Sequence, residues 1–452
     1  MLKRISVVTA GLLILAVCAQ AGAGRLDARV GSVSETPLGG FTQIYLFGMA
    51  SGPDGDVWFT DLGCQTLGRC SIDRVDPQGR IVSFTRGLHR GAIPYAIATG
   101  PDGNLWFTEE GSRPAIGRIT PAGHITEFSR GLGPGALPFE ITLGPDGNLW
   151  FTDQGARPAV GRITSAGHIT EFVAGLRPGS RPFGIAASTT GRLWFTDRAC
   201  GGGTGRCAVG SVTTAGRIVE RFAPLRPAAF PLGISAGRGG EMWFADGSGA
   251  IGRISRTGVI SEHSAGLRPG SAPAALAAGA DGGMWFSDAA SPGAIGHISA
   301  ASRVHESSAG LQAGSSPAFL IAAPDGHVWF SDEGISAGIG QIDVGAAEAV
   351  RTLPRVTGTP AVGGALTRRP GRWARWARWD GAEPSPRLLS FDGYRWLRDG
   401  RPIAGARAPV LIPTATDRGA RISCRVTVTY PAPLLVTAPA TSATVRIRPR
   451  RA

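Results

Sequence analysis

One pattern limits what this 452-residue chain can fold into. Trp-Phe pairs begin at Trp58, Trp106, Trp150, Trp194, Trp243, Trp285 and Trp329, at steps of 48, 44, 44, 49, 42 and 44 residues. The string Gly-Pro-Asp-Gly-Asn-Leu-Trp-Phe-Thr stands at 100–108 and again at 144–152. Such a period belongs to propeller blades or to helical arrays. The content of one unit decides between them. A short apolar segment (95–99, 139–143) meets a Pro-Asp-Gly turn, then Leu-Trp-Phe-Thr and a loop. Ile-Gly-Arg-Ile-Thr, an Ala-Gly turn and Ile-Thr-Glu-Phe follow. These runs are short, rich in β-branched and aromatic residues, and separated by turn chemistry. None keeps a helical period for long enough to be a helix. The prediction is an all-β chain whose residues 30–353 form a seven-bladed β-propeller of four-stranded blades. The 68 glycines and 33 prolines then sit in turns. Eight outer strands, from 33–36 through 348–353, compete for seven places. We give the place in the last blade to the N-terminal strand.

The N-terminus reads as an export signal. Lys3-Arg4 precedes an apolar run from Ile5 to Val17 and the small-x-small exit Ala19-Gln20-Ala21, which predicts cleavage after residue 21. The run is shorter than the roughly 20 residues a spanning helix needs, and Val17 is bulky where a lipoprotein signal prefers a small residue. A secreted, extracellular or cell-envelope location follows. Oxidising conditions there favour two local disulfides, Cys64 with Cys70 and Cys200 with Cys207, each across a hairpin tip. A four-thiolate metal site would need the two pairs in one place. Cys424 is left without a partner.

Charge is unevenly distributed. The net +13 rests on 46 basic residues, of which Lys3 is the single lysine. Lysine-based covalent catalysis is thereby excluded from the mature chain. Residues 355–452 hold 18 arginines against 5 acids, whereas the rest of the chain is balanced. The excess therefore points to an anionic cell-envelope surface as partner of the C-terminal part, not to nucleic acid.

In a repeat, a residue present in every copy is read as scaffold and a departure as a site candidate. Asp61, Glu109, Asp153, Asp197, Asp246, Asp288 and Asp332 each follow their Trp by three residues. Their uniformity predicts hydrogen bonds that tie blades together. The residue after the repeat's Pro varies instead: Phe47 (after Leu46), Tyr95, Phe139, Phe183, Leu232, Ala274 and Ala318. On the innermost strand these side chains would line one mouth of the channel as a lopsided apolar funnel. Phe47, Tyr95, Phe139, Phe183 and Leu232 then bind a small apolar ligand, with plain packing of blade on blade as the other reading. Glu140 stands where other copies carry small or apolar fillers. The doublets Glu109–Glu110 and Asp332–Glu333 offer paired carboxylates for Mg²⁺ or Ca²⁺. His297 replaces the Arg of Ile-Gly-Arg, His124 and His168 lie in outer turns, and no histidine falls on an inner strand.

The 100–108 string, followed by Ile116-Gly-Arg-Ile-Thr120 and Ile125-Thr-Glu-Phe128, with the same series at 144–172, resembles the virginiamycin B lyase (streptogramin B lyase) family over roughly residues 40–345. The resemblance implies a seven-bladed propeller and a Mg²⁺-dependent elimination that opens the ester ring of depsipeptides. It also implies Pro-His dipeptides on the inner strands of blades six and seven, where a base removes the proton. This chain has Pro273–Ala274 and Pro317–Ala318 there. An expected metal-binding Glu is Ser316, and Glu333 is retained as the candidate metal ligand. If a rearranged site works, Glu333, Glu140 and Tyr95 are its catalytic candidates. The Gly201-Gly-Gly203 run opens no helix and is no phosphate loop.

After a linker at 354–360, residues 361–452 predict a small β-sandwich. Tyr394-Arg-Trp-Leu-Arg-Asp-Gly400 and Ser423-Cys-Arg-Val-Thr427 resemble a bacterial immunoglobulin-like domain with Trp396 buried beside a Cys strand. Arg372, Trp373, Arg375, Trp376, Arg378 and Trp379 alternate charge and aromatic surface, which suits an anionic surface; a core-and-flank strand is the plainer reading. The expectation is a monomeric, exported binding module with a depsipeptide-like or apolar ligand, the alternative being a carbon–oxygen lyase.

Overall fold

The computed structural model describes residues 33–37 and, with short internal gaps, 46–449. The signal at 1–21, Cys64, Cys200, the 201–203 run and Arg375, Trp376, Arg378 and Trp379 lie outside the described residues. Seven four-stranded antiparallel sheets form a seven-bladed β-propeller. Six blades are continuous in sequence: 46–84, 94–128, 138–172, 182–221, 231–263 and 273–307. The seventh takes three strands from 317–342 and its outer strand, Val33–Pro37, from the N-terminus. Ser34 faces Gln341 and Glu35 faces Gly340 in that pairing.

Blade packing explains the Trp-Phe and Ile-Gly-Arg signatures together. Trp106 of blade 2 joins Ile141, Leu149, Phe151 and Ile163 of blade 3 in one buried cluster, and the same arrangement recurs around the ring. Blade 7 closes on blade 1 through Ile339 against Leu46, Val57 and Phe59. Trp58, Trp106 and Trp150 are fully buried, and truncating such a ring typically costs about 3–5 kcal/mol. The glycine of Ile-Gly-Arg lets the sheet accept the Phe ring, because a Cβ on Gly117 would lie 1.9 Å from Phe107 Cζ. The arginine stacks across strands on the Trp: Arg118 is 5.6 Å from the Trp106 ring. His297 takes the arginine's place, with its ring 4.7 Å from Trp285, and is thus part of the scaffold.

Five of the seven acids act differently from expectation. Asp153 Oδ1 accepts the amides of Leu137 and Gly155, both at 2.7 Å and both within its own blade. Asp197, Asp246, Asp288 and Asp332 repeat this cap. The tie between blades belongs to the preceding hydroxyl instead. Thr108, Thr152, Thr196 and Ser287 donate to carbonyls of the next inner strand at 2.6–2.7 Å.

The C-terminal part is also all-β, with strands at Arg355–Gly358, Leu366–Arg369, Ser390–Arg398 and Arg421–Thr429 among others. The expected linker is corrected here: Arg355–Gly358 pairs with Leu366–Arg369, and Val350–Thr352 pairs with Arg372–Trp373. Short segments between Gly and Pro residues can still find a ladder partner, which local composition does not reveal. Trp396 and Cys424 are fully buried, face each other across two strands and share a core with Leu366, Ile422 and Ile447. Cys424 is a free cysteine.

Candidate functional site

The inner strands carry one shared irregularity that builds the site. Each slips register between the repeat's Pro (or Leu46) and the third residue after it, as between Pro138 and Ile141. In a regular strand successive side chains point to opposite faces. A bulge leaves the extra residue off the ladder and re-aims it, so two successive residues reach the channel. Phe139 with Glu140, Ala274 with Ala275 and Ala318 with Phe319 all line the same cavity. The displaced amide does not go unpaired. Glu140 N donates to Thr152 Oγ1 at 3.1 Å, and that hydroxyl donates to Phe183 O at 2.7 Å in the next blade. Scaffold and funnel are therefore held by one relay.

The cavity has a volume of about 420 Å³ and brings together every funnel residue expected from sequence: Phe47, Tyr95, Phe139, Phe183 and Leu232, with Glu140 and Glu333. The aromatics form a continuous arc. Centroids are 4.4 Å apart for Phe319 and Phe47, 3.9 Å for Phe47 and Tyr95, 4.9 Å for Tyr95 and Phe139, and 4.4 Å for Phe139 and Phe183. The opposite wall is Leu232, Ala274, Ala275 and Ala318. Phe319 and Arg198 are among the lining residues that were missed. Phe319 needed the bulge to be known. Arg198, whose guanidinium lies 4.2 Å from the Phe183 ring, follows the repeat acid directly. Glu110 and Glu333 hold that same repeat position, so aligning the copies would have found it.

Charge around the mouth is perturbed by burial. Glu140 is half-buried, and loss of water pushes its carboxyl up to about 7. Glu333 rises to about 7 through burial and then the nearby Asp332 carboxylate. Glu110 rises to about 7 through burial and then Asp153. Burial raises the Tyr95 phenol, with Glu110 and Glu333 adding to it and Arg198 opposing. Burial, followed by Arg181, lowers the Arg198 guanidinium.

Neither doublet forms a paired-carboxylate site. Adjacent residues diverge: Glu109 and Asp332 are buried within their blades, whereas Glu333 lines the funnel and Glu110 lies near enough to act on Tyr95. The magnesium implied by the resemblance has few donors here. Glu333 and the Ser316 hydroxyl are the polar groups on that wall, beside Ala274 and Ala318. One carboxylate and a neutral hydroxyl do not fit an ion that demands a near-octahedral oxygen shell.

The virginiamycin B lyase family model matches residues 10–245, 133–306 and 227–373. A solved structure of a catalytically inactive histidine-to-alanine virginiamycin B lyase from Staphylococcus aureus with quinupristin is 28% identical, covering 69% of this chain and 98% of its own, with a TM-score of 0.59. A streptogramin B lyase structure is 29% identical, covering 69% of this chain and 97% of its own, with a TM-score of 0.60. No curated protein matches the chain.

Proposed function

The chain belongs to the virginiamycin B lyase family, and from that premise we propose that its propeller binds a small apolar or depsipeptide-like ligand in the funnel without opening the ring. The observation that carries this reading is the wall formed by Ala274 and Ala318 opposite the aromatic arc. Elimination needs a base within reach of the proton, and alanine offers no atom to receive one. In the Staphylococcus aureus relative, the histidine-to-alanine protein is described as catalytically inactive and with quinupristin. This chain has alanine at both positions where the resemblance places a histidine. The arc supplies what binding requires: flat apolar surface with Arg198 stacked at one end.

Export and the basic C-terminal part, with its 18 arginines, would hold this binding module at an anionic cell envelope. A second reading rests on Glu140. A carboxyl near 7 that lines the cavity has the proton affinity of a general base at neutral pH, with Tyr95 as a polar partner.

Quinupristin and the purified protein separate these readings. Binding is followed by calorimetry and ring opening by chromatography with fragmentation, because elimination gives a linear isomer of unchanged mass. Binding with an intact ring is the expected result. Ring opening that disappears in Glu140→Gln would establish the lyase reading instead, and no binding at all would defeat both.

A further inference from the structure

Outside the funnel, blade 2 departs from the repeat twice in one place. In blades 4, 5 and 6 an arginine stands between the capping Asp and the outer-strand Glu. Arg226 lies 3.0 Å from Asp246 and 3.7 Å from Glu262; Arg268 lies 2.6 Å from Asp288 and 3.3 Å from Glu306. Arg177 bridges Asp197 and Glu220 similarly. Blade 2 puts His89 where the arginine stands and Glu109 where the aspartate stands. The extra methylene carries the Glu109 carboxylate past the capping position. Its side chain is fully buried, and neither oxygen makes the close pair of amide bonds that caps the other blades.

We propose that His89, Glu109 and Glu127 form a divalent transition-metal site of the zinc class. His89 Nδ1 lies 3.3 Å from Glu109 Oε1 and 3.3 Å from Glu127 Oε2. All three ligand atoms fit within 4.8 Å of one another. Two ligands at 2.0–2.1 Å from a tetrahedral zinc are about 3.4 Å apart, so His89 stands from each carboxylate at the separation the ion imposes. Mixed imidazole and carboxylate donors suit zinc better than magnesium or calcium, which prefer oxygen alone.

The surroundings agree. Ser112 Oγ lies 3.4 Å from His89 Nε2, the outer-sphere contact that orients the imidazole, while Nδ1 faces the Glu109 and Glu127 carboxylates. One Glu127 oxygen accepts the His89 amide at 3.0 Å, which fixes the carboxylate's orientation. In blades 4–6 an arginine places positive charge between the two acidic side chains, and blade 2 lacks it. Arg113, on the exposed loop after Glu109, supplies part of that charge, and a bound dication would supply the rest. Blade 3 lacks the set, since Gly133 there offers no third ligand.

The test uses tag-free full-length protein, stripped with chelator and titrated with Zn²⁺ by calorimetry and with Co²⁺ by visible absorption. One equivalent should bind with micromolar or tighter affinity, giving tetrahedral Co²⁺ bands without a thiolate charge-transfer band. His89→Arg restores the side chain that blades 4–6 already accommodate, so it should fold normally and lose at least 30-fold in affinity. Glu127→Gln should lose a comparable factor. Absence of binding, a thiolate signature, or binding unchanged in both variants would overturn the site.

Discussion

Glu35 accepts a 3.0 Å hydrogen bond from the backbone amide of Gln312, across 277 residues of chain, and a 3.1 Å bond from the Ser315 hydroxyl. The contact repeats one that the outer-strand glutamates of other blades make with the loop leading into their own blade. Glu127 takes the His89 amide, Glu171 that of Gly133, Glu262 that of Arg226 and Glu306 that of Arg268. The N-terminal strand thus carries the repeat's own outer-strand glutamate into blade 7. It closes the ring by side-chain identity as well as by its ladder.

Removing that contact should loosen closure specifically. Glu35→Ala leaves the Gln312 amide without its acceptor and is expected to lower unfolding stability by about 1–3 kcal/mol. Deleting residues 33–37 should cost more and should promote association, because the strand Gly338–Ile342 becomes an open edge. Denaturant unfolding and light scattering check this. An unchanged midpoint in both variants would show that another segment closes the ring.

The contribution of Glu140 to stability should fall as pH rises from acid to neutral. Its ordinary pKa is 4.5, and burial raises it to about 7 in the folded chain. The folded state therefore holds the proton more tightly than the unfolded state. Glu140 costs nothing below about pH 4.5, costs progressively more up to about 7, and a constant amount above. Glu140→Gln should match the parent at pH 4.5 and exceed it by about 1–3 kcal/mol at pH 8. Unfolding curves at both pH values decide it; a gap that ignores pH would remove Glu140 from this role.

Repetition made the propeller legible, since seven imperfect copies average out local ambiguity in strand and turn signals. It also separated funnel from scaffold, because Phe47, Tyr95, Phe139 and Phe183 vary where Trp-Phe does not. What escaped were relations between positions. The Phe319 side chain joins the funnel through a bulge that no alternation pattern announces. The acids were assigned to contacts between blades because uniformity says a residue is structural without saying what it touches. Thr152, one position earlier, carries that contact. His89 and Glu127 are 38 residues apart and meet only because a blade folds back on itself. The C-terminal part has no second copy to compare, and its strand at Arg355–Gly358 passed for linker.

Ligand affinity should depend on the aromatic arc and not on the outer surface. Phe139→Ala removes the ring that lies between Tyr95 and Phe183 and is expected to weaken quinupristin about 10- to 100-fold, the equivalent of one buried aromatic side chain. Arg198→Ala should weaken it less, by about tenfold or under, as a half-exposed cation–π partner. Val259→Ala, on a side chain 65% exposed and absent from the cavity, should leave affinity unchanged. Calorimetry ranks the three. Equal affinities throughout would place the ligand elsewhere than in this funnel.

Activity should be recoverable if the missing groups alone silence the site. Ala274 and Ala318 both face the cavity, so a larger side chain at either position projects into open space and not into a blade interface. The backbone beneath is already anchored, since Ser287 donates to Ala318 O at 2.6 Å and Ser331 Oγ accepts the Phe319 amide at 3.1 Å. Combining Ala274→His, Ala318→His and Ser316→Glu should therefore keep unfolding stability within about 1 kcal/mol of the parent. Ring opening of quinupristin in the presence of Mg²⁺ is expected from the triple variant and not from the parent. Chromatography of the linear isomer measures it. If the triple variant binds quinupristin with undiminished affinity yet never opens it, the two alanines are not what separates this chain from a lyase, and the reason must lie in the arc or in Glu140.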